Sequence, residues 1–356
     1  MQGFYGNVPI ADTEAVMVKV KIIDVAREAG VSKSTVSRVL NKDKAVSEQS
    51  RKAVNEAIKK LNYTPSYFAQ GIRTRRTKTV AMLVPEYSNY FYSEMFLGAE
   101  DAALKHKYMV LVCSTLRHAK SEIGYIKELL SRSVDGIIYN TYRTSEDTLN
   151  YLNEISKSVP VVIMNPNSDE NANFSYVYTD GFDSTRQAVH YLYEKGRHDI
   201  GYLKNLASIN ITDDRFQGYL MGMKDCGLPV EDSFIYQIDD EAEPDYIALG
   251  RKAAQKIIRS KKRPDALLAA IDMLAIGCIK EFNAHGIKVP DEINMIGFDN
   301  VSLCELIEPS LTTISQPTRL LGQRAVEIII DKINGKAVDQ RTVFNGKLIV
   351  RESTGC

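Results

Sequence analysis

The residues whose chemistry is easiest to name lie in one stretch, Ser32-Lys33-Ser34-Thr35-Val36-Ser37-Arg38-Val39-Leu40-Asn41. Hydroxyls, an ammonium, a guanidinium and a carboxamide alternate here with three apolar residues. At helical spacing Val36, Val39 and Leu40 share one face, and Lys33, Ser34, Ser37, Arg38 and Asn41 are left on the other. Those side chains suit phosphate oxygens and the base edges of a DNA major groove, where guanine presents two acceptors to a single arginine.

Such a face needs a scaffold, and the flanking sequence supplies one. Val25, Ala26 and Ala29 recur at helical spacing, Gly30 offers a turn, and Ser32 is a natural cap for the helix that follows. A third helix is expected after Ser47, with Val54, Ile58 and Leu61 as its apolar face, and Leu61-Asn62-Tyr63-Thr64-Pro65 ends it because proline cannot continue a helix. The plain alternative is an ordinary helix pair in a small bundle. Charge decides against it: Val18–Lys78 holds 15 Lys+Arg and 5 Asp+Glu, a net +10. The segment 79–356 holds 30 Lys+Arg and 38 Asp+Glu, a net −8, and the whole chain is neutral. A basic head on an acidic body is the electrostatic footprint of a nucleic-acid binder.

At 356 residues the chain exceeds one ordinary core. No run reaches the roughly 18 apolar residues of a membrane span, and the N-terminus lacks the basic and apolar regions of a signal peptide. This predicts a cytoplasmic protein with no membrane partner. Cys113, Cys226, Cys278, Cys304 and Cys356 are scattered without metal-ligand spacing and read as small core hydrophobes. No P-loop or dinucleotide fingerprint is present, and the five histidines are dispersed, so neither an enzyme nor a cofactor is expected. Asp272 and Asp299 are a conceivable carboxylate pair for glycoside chemistry, and the head makes that reading remote.

Four divisions follow: 1–18 as a disordered leader, with Met17 an alternative start; 19–65 as a helix-turn-helix unit; 66–78 as a basic hinge; and 79–356 as the body. In the body, short apolar runs (Val80–Val84, Met109–Cys113, Gly136–Tyr139, Val159–Met164) alternate with helical patterns (Tyr92–Lys105, Glu122–Ser131, Thr148–Ser156). A second such series begins near Phe182, with strands at Ile200–Leu203, Phe234–Ile238, Ala266–Ala269 and Met295–Phe298. Alternation of this kind predicts α/β architecture: two doubly wound lobes of parallel sheet, with a ligand cleft at the carboxyl ends of the strands.

The chain resembles the LacI/GalR family of bacterial transcription regulators. The resemblance rests on Asp24-Val-Ala through Asn41, on Leu61-Asn62-Tyr63 with Pro65, and in the body on Val134-Asp135-Gly136-Ile137-Ile138, Arg215 with Gly218, Ile296-Gly297-Phe298-Asp299 and Pro309 to Pro317. It implies a three-helix DNA-binding head, a hinge and a two-lobed body like that of periplasmic binding proteins. By position, Lys33, Ser34 and Arg38 choose bases. Ser32, Thr35, Ser37, Asn41, Ser47 and Arg51 hold phosphates, and Ile72 wedges into the minor groove where the family usually has leucine. Phe91, Tyr92, Arg215, Asp272 and Asp299 would line the effector cleft and suit a polyhydroxylated sugar. The implied molecule is a homodimeric, nucleoid-associated repressor on a pseudo-palindromic operator, controlled by a small-molecule effector, with no cofactor and no metal. A phosphoprotein or nucleobase corepressor is the alternative signal, and a free sugar-binding protein the remoter one. Two departures stand out. Lys21 replaces a capping threonine, which removes a cap worth about 1 kcal/mol, and Asn165-Pro166 replaces a charged Asp-Arg pair.

Overall fold

The computed structural model describes residues 20–40, 43, 45–64, 76–87, 89–115, 119–140, 145–164, 173–204, 214–237 and 245–355. The chain divides into two compact units, 1–75 and 76–356.

In the first unit, α1 (Ile22–Glu28), α2 (Lys33–Leu40) and α3 (Glu48–Lys60) close over Val25, Ala26, Val36, Val39, Val54 and Ala57. Gly30 makes the turn between α1 and α2 at φ +63°, a left-handed conformation that glycine adopts without a Cβ penalty. Ser32 Oγ accepts the Thr35 amide at 3.1 Å and Ser47 Oγ accepts the Ser50 amide at 3.3 Å, so both serines cap as their sequence positions suggest. The cap lost at Lys21 is partly made good from within the helix. The Lys21 backbone N–H donates to the Asp24 carboxylate at 2.8 Å, and that negative charge in the first turn also favours the helix dipole. Lys60 ties α3 back to α1 through Glu28 at 2.6 Å.

The second unit holds two six-stranded sheets. Its chain runs β1 (Thr79–Val84), α4 (Phe91–Lys105), β2 (Met109–Ser114), α5 (Ala119–Ser131), β3 (Gly136–Tyr139), α6 (Glu146–Ile155), β4 (Val161–Ile163) and β5 (Ser175–Asp180). It then crosses to a second lobe: α7 (Gly181–Glu194), β6 (Ile200–Leu203), α8 (Asp214–Asp225), β7 (Ile235–Tyr236), α9 (Tyr246–Arg259), β8 (Ala266–Ala269), α10 (Asp272–Ala284), β9 (Asn294–Asp299) and β10 (Thr312–Ser315). It returns to the first lobe for α11 (Thr318–Ile333) and β11 (Arg341–Asn345), and closes the second with β12 (Lys347–Ile349). The sheet orders are β11-β5-β4-β3-β1-β2 and β12-β10-β9-β8-β6-β7. Among the described residues, all pairings are parallel except β10 with β12. Strands covered by helices on both faces must be apolar throughout, and Val80–Val84 is buried at every residue.

Each sheet therefore carries two cores. Helices α4 and α11 cover one face of the first sheet, α5 and α6 the other. In the second lobe, α9 and α10 cover one face, α7 and α8 the other. The α4–α11 contact is a backbone contact: a Cβ on Gly98 would collide with the Arg319 carbonyl, and one on Gly322 with the Met95 carbonyl. Neither carbonyl can rotate away. Gly98→Val is thus expected to destabilise the body by about 3 kcal/mol, the upper end of overpacking effects, read as a lower urea midpoint with an unchanged slope. Near the C-terminus, buried Ser353 accepts the Thr312 amide at 2.8 Å and donates to the Met295 carbonyl at 2.6 Å, which stitches the tail to β9 and β10.

Candidate functional site

The head presents the sequence-predicted polar face at the start of α2. Ser32, Lys33, Ser34 and Arg38 are exposed, while Thr35 and Ser37 are half-buried. Three hydroxyls cluster at the helix start: Ser32 Oγ lies 2.7 Å from Ser34 Oγ and 2.9 Å from Thr35 Oγ1. Val36 and Val39 turn the opposite face into the core. Ser47 and Arg51 have intramolecular tasks. Ser47 caps α3, and Arg51 donates to the Asp43 carbonyl at 2.9 Å with Glu48 3.6 Å away. Asn41, Ile72 and most of the hinge lie outside the described residues, as does Asn165-Pro166.

In the body, the carboxyl ends of the strands bring the candidate cleft groups together. Arg215 stands at the start of α8 and reaches over β8 and β9: it donates to the Ala270 carbonyl at 2.5 Å, and its guanidinium carbon lies 3.8 Å from the centre of the Phe298 ring. Asp299, the last residue of β9, lies 3.8 Å from Arg215 Nη1 and accepts from Gln316 Nε2 at 2.7 Å. Asp299 has φ +123° and the next residue, Asn300, φ +58°. Non-glycine residues hold such angles only where the surroundings impose them.

Asp272, Thr313 and Arg351 hold the turn here. The Asp272 carboxylate is wholly buried, accepts Thr313 Oγ1 at 2.5 Å and the Val301 amide at 2.9 Å, and receives the Cys304 thiol at 3.1 Å. Arg351 donates to Asn300 Oδ1 at 2.9 Å, and the Asn300 amide donates to Thr313 Oγ1 at 3.3 Å. Asp272 therefore faces into the second lobe and braces the turn on which Asp299 sits.

Burial governs the protonation of both acids. It raises Asp272 above the usual carboxylate range, against the hydrogen bonds from Thr313, Val301 and Cys304. It pushes Asp299 up to about 7; the Arg215 charge opposes the rise, the Asp272 charge reinforces it, and the Gln316 bond opposes it.

In the first lobe the candidate aromatic groups stand at the start of α4. Phe91 and Tyr92 are neighbours in sequence but not in role. Tyr92 is buried in the first lobe, edge-on to Phe91 at 5.2 Å and stacked with Phe96 at 6.1 Å. Phe91 is partly exposed and packs against cores of both lobes. Buried Asn89, Ser114, Thr115 and Asn140 follow or end β1, β2 and β3. Gln316 and these four were not singled out from sequence; for Ser114, Thr115 and Asn140 the available signal was their position at the end of an apolar strand, and for Gln316 and Asn89 there was none. Among the described residues no group of His, Cys, Asp and Glu could hold a metal ion, and no helix is long and apolar enough to cross a membrane.

Comparison with known proteins agrees with this arrangement. Residues 21–66 match the bacterial regulatory proteins of the lacI family, and residues 189–354 match the periplasmic binding protein-like domain. The HTH-type transcriptional repressor PurR of Photorhabdus laumondii is 31% identical over 333 residues, covering 93% of this chain and 96% of PurR. The transcriptional regulator CelR in complex with cellobiose is 28% identical, with a TM-score of 0.70 over 94% of this chain and 99% of CelR. The lac repressor dimer bound to operator and the anti-inducer ONPF shares the fold, with a TM-score of 0.84 at 24% identity over 94% of this chain and 99% of the repressor chain. With a helix-turn-helix unit in its N-terminal part and a separate two-lobed α/β unit, the chain belongs to the LacI family of bacterial transcriptional repressors.

Proposed function

We propose that the protein is a homodimeric repressor of carbohydrate-use genes whose operator affinity is set by a sugar or sugar derivative held between the two lobes. The observation that carries the sugar reading is the composition of the cleft: a guanidinium, a raised carboxyl group and a carboxamide (Arg215, Asp299, Gln316) on one side, Phe91 on the other. Hydroxyls of a polyol both donate and accept, so they satisfy this mixture, and an aromatic face covers their C–H edges. The cellobiose held by CelR is a ligand of this class. Asp272 supports the floor through its bonds to Thr313 and Val301, and Tyr92 backs Phe91.

A panel of mono- and disaccharides, sugar phosphates and nucleobases tested by thermal shift on the full chain separates the readings. A ligand at 100 times its Kd adds about 2.7 kcal/mol to stability. A rise in melting temperature with a sugar is expected; a rise with nucleobases alone would replace the sugar with a nucleobase corepressor.

On DNA, Lys33, Ser34 and Arg38 read bases from the exposed face of α2. Ser32, Thr35, Ser37, Asn41, Ser47 and Arg51 hold phosphates, and Ile72 enters the minor groove. Arg38→Ala is expected to cost about 1–3 kcal/mol and to relax preference at one position in each half-site. Selection of binding sequences with both proteins measures this. A uniform loss across all sequences would make Arg38 a phosphate contact.

A further inference from the structure

Helix α1 departs from local preference at its N-cap. Lys21 holds that position with extended backbone, φ −101° and ψ 157°. Serine, threonine, asparagine or aspartate there would accept an amide of the first turn, and an ammonium has no acceptor to offer. A cation at this end also opposes the helix dipole. The free chain therefore gains nothing from the charge it carries at this place. A local preference broken with no return inside the fold marks a residue kept for something outside it.

The acids that could pair with Lys21 are engaged elsewhere. The Asp24 carboxylate accepts the Lys21 backbone N–H at 2.8 Å and lies 3.8 Å from Arg27 Nη1. Glu28 is held by Lys60 at 2.6 Å. Helices α1 and α2 and the turn between them contain no other acid. Lys21, Lys33 and Arg38 are left as exposed cations with no ion pair among the described residues. Lys33 and Arg38 already have a proposed task on the bases; Lys21 has none.

We infer that Lys21 is a phosphate contact of the DNA-binding unit: the side-chain cap given up in the free chain is exchanged for a charge pair with one phosphate of the duplex. In a helix-turn-helix unit the first helix crosses the backbone while the second enters the major groove, so an ammonium at the start of α1 has phosphates within reach. A compact ammonium with rotatable donors serves a phosphate without reading sequence. The inference rests on the first unit being the part that binds DNA.

The salt dependence of binding by the full chain tests it on two duplexes: the operator fragment that the wild-type protein retains from sheared genomic DNA, and a duplex of equal length and unrelated sequence. Each phosphate neutralised adds about 0.9 to the slope of log K against log [KCl]. Lys21→Gln removes the charge without adding a cap and is expected to lower the slope by about 0.9 on both duplexes, so that its deficit against wild type grows about eightfold for each tenfold dilution of salt. Lys21→Arg keeps the wild-type slope. Lys21→Thr restores the cap, which secures the fold of the head, and shows the same lowered slope as Lys21→Gln. A changed affinity with an unchanged slope is the mark of a structural residue and overturns the inference. A deficit on the operator alone makes Lys21 a base contact and overturns it as well. Parallel sloping lines for all four proteins remove only the role of Lys21, whereas a flat line for wild type on both duplexes removes the DNA-binding reading of the first unit along with it.

Discussion

Arg215→Ala is expected to abolish the response to effector while leaving operator affinity within about threefold of wild type. In the proposed reading the guanidinium belongs to the effector cleft; the Ala270 carbonyl holds it on one side and the Phe298 ring on the other. Hydrogen bonds from a charged donor contribute about 1.5–3 kcal/mol each, and a guanidinium offers them in a rigid fork. Losing one such bond, and the orientation it imposes, weakens a ligand by about two orders of magnitude. The head, by contrast, has its own core of Val25, Val36, Val39 and Val54 and needs nothing from Arg215 to fold. Titration calorimetry with the sugar that raises the melting temperature, beside operator binding by fluorescence anisotropy, checks both halves. Unchanged sugar affinity would remove Arg215 from the site; equal losses of sugar and operator binding would make it a structural residue of the lobe. Arg215→Lys keeps the charge but not the fork and should fall between the two, because the ammonium cannot hold two acceptors in plane.

The strands and helices legible in sequence were those with local signals. Gly136–Tyr139, Ile200–Leu203 and Ala266–Ala269 are apolar runs bounded by turn residues, and they form β3, β6 and β8 over those same residues. The elements that escaped are stabilised from far away. Strand β10 reads Thr-Thr-Ile-Ser, with no apolar run, yet Thr312 and Thr313 are wholly buried because Ser353, Thr354 and Asp272 satisfy their polar atoms. Strand β12 pairs antiparallel with β10, added to it after the chain has been to the other lobe and back. The return of α11 and β11 to the first lobe is likewise invisible in a strand–helix alternation, which carries order along the chain but not the sheet to which each element belongs.

The candidate site shows the same division. Side-chain types at the cleft were visible; their directions were not. Phe91 and Tyr92 stand at adjacent positions of a helix, so they point about 100° apart, and one meets the second lobe while the other fills the first. Asp272 opens α10 three residues past β8 and Asp299 ends the neighbouring strand β9; both are buried acids, yet of the two only Asp299 lies beside Arg215. What separates them is the pair of left-handed residues Asp299 and Asn300, which turns the chain out of the strand. Nothing in an isolated Phe-Asp-Asn sequence demands such angles; the demand comes from Thr313, Arg351 and Asp272 around it.

Those two acids also give the protein a pH dependence of defined sign. Folding raises the Asp299 carboxyl from 3.8 to about 7, mainly because burial disfavours its charge. The folded chain therefore binds that proton more tightly than the unfolded chain. The resulting stabilisation is fully present below the unfolded value and is lost as pH climbs through the folded one. Wild-type stability is thus expected to fall between about pH 4 and pH 7, with a slope approaching about 1.4 kcal/mol per pH unit from this one group. Asp299→Asn removes that contribution, keeps a side chain that tolerates positive φ, and flattens the profile. Some slope remains, since Asp272 is also raised by burial and acts with the same sign. Urea melts at half-unit intervals of pH on both proteins measure the difference, and parallel profiles would mean that Asp299 ionises as an ordinary surface carboxylate. Ionisation matters to the cleft as well as to stability. Above pH 7 the carboxylate faces Arg215 as an anion and can only accept, while below it the acid can also donate. In the proposed sugar reading, effector affinity should therefore change across the same interval in the wild-type protein and stay level in Asp299→Asn.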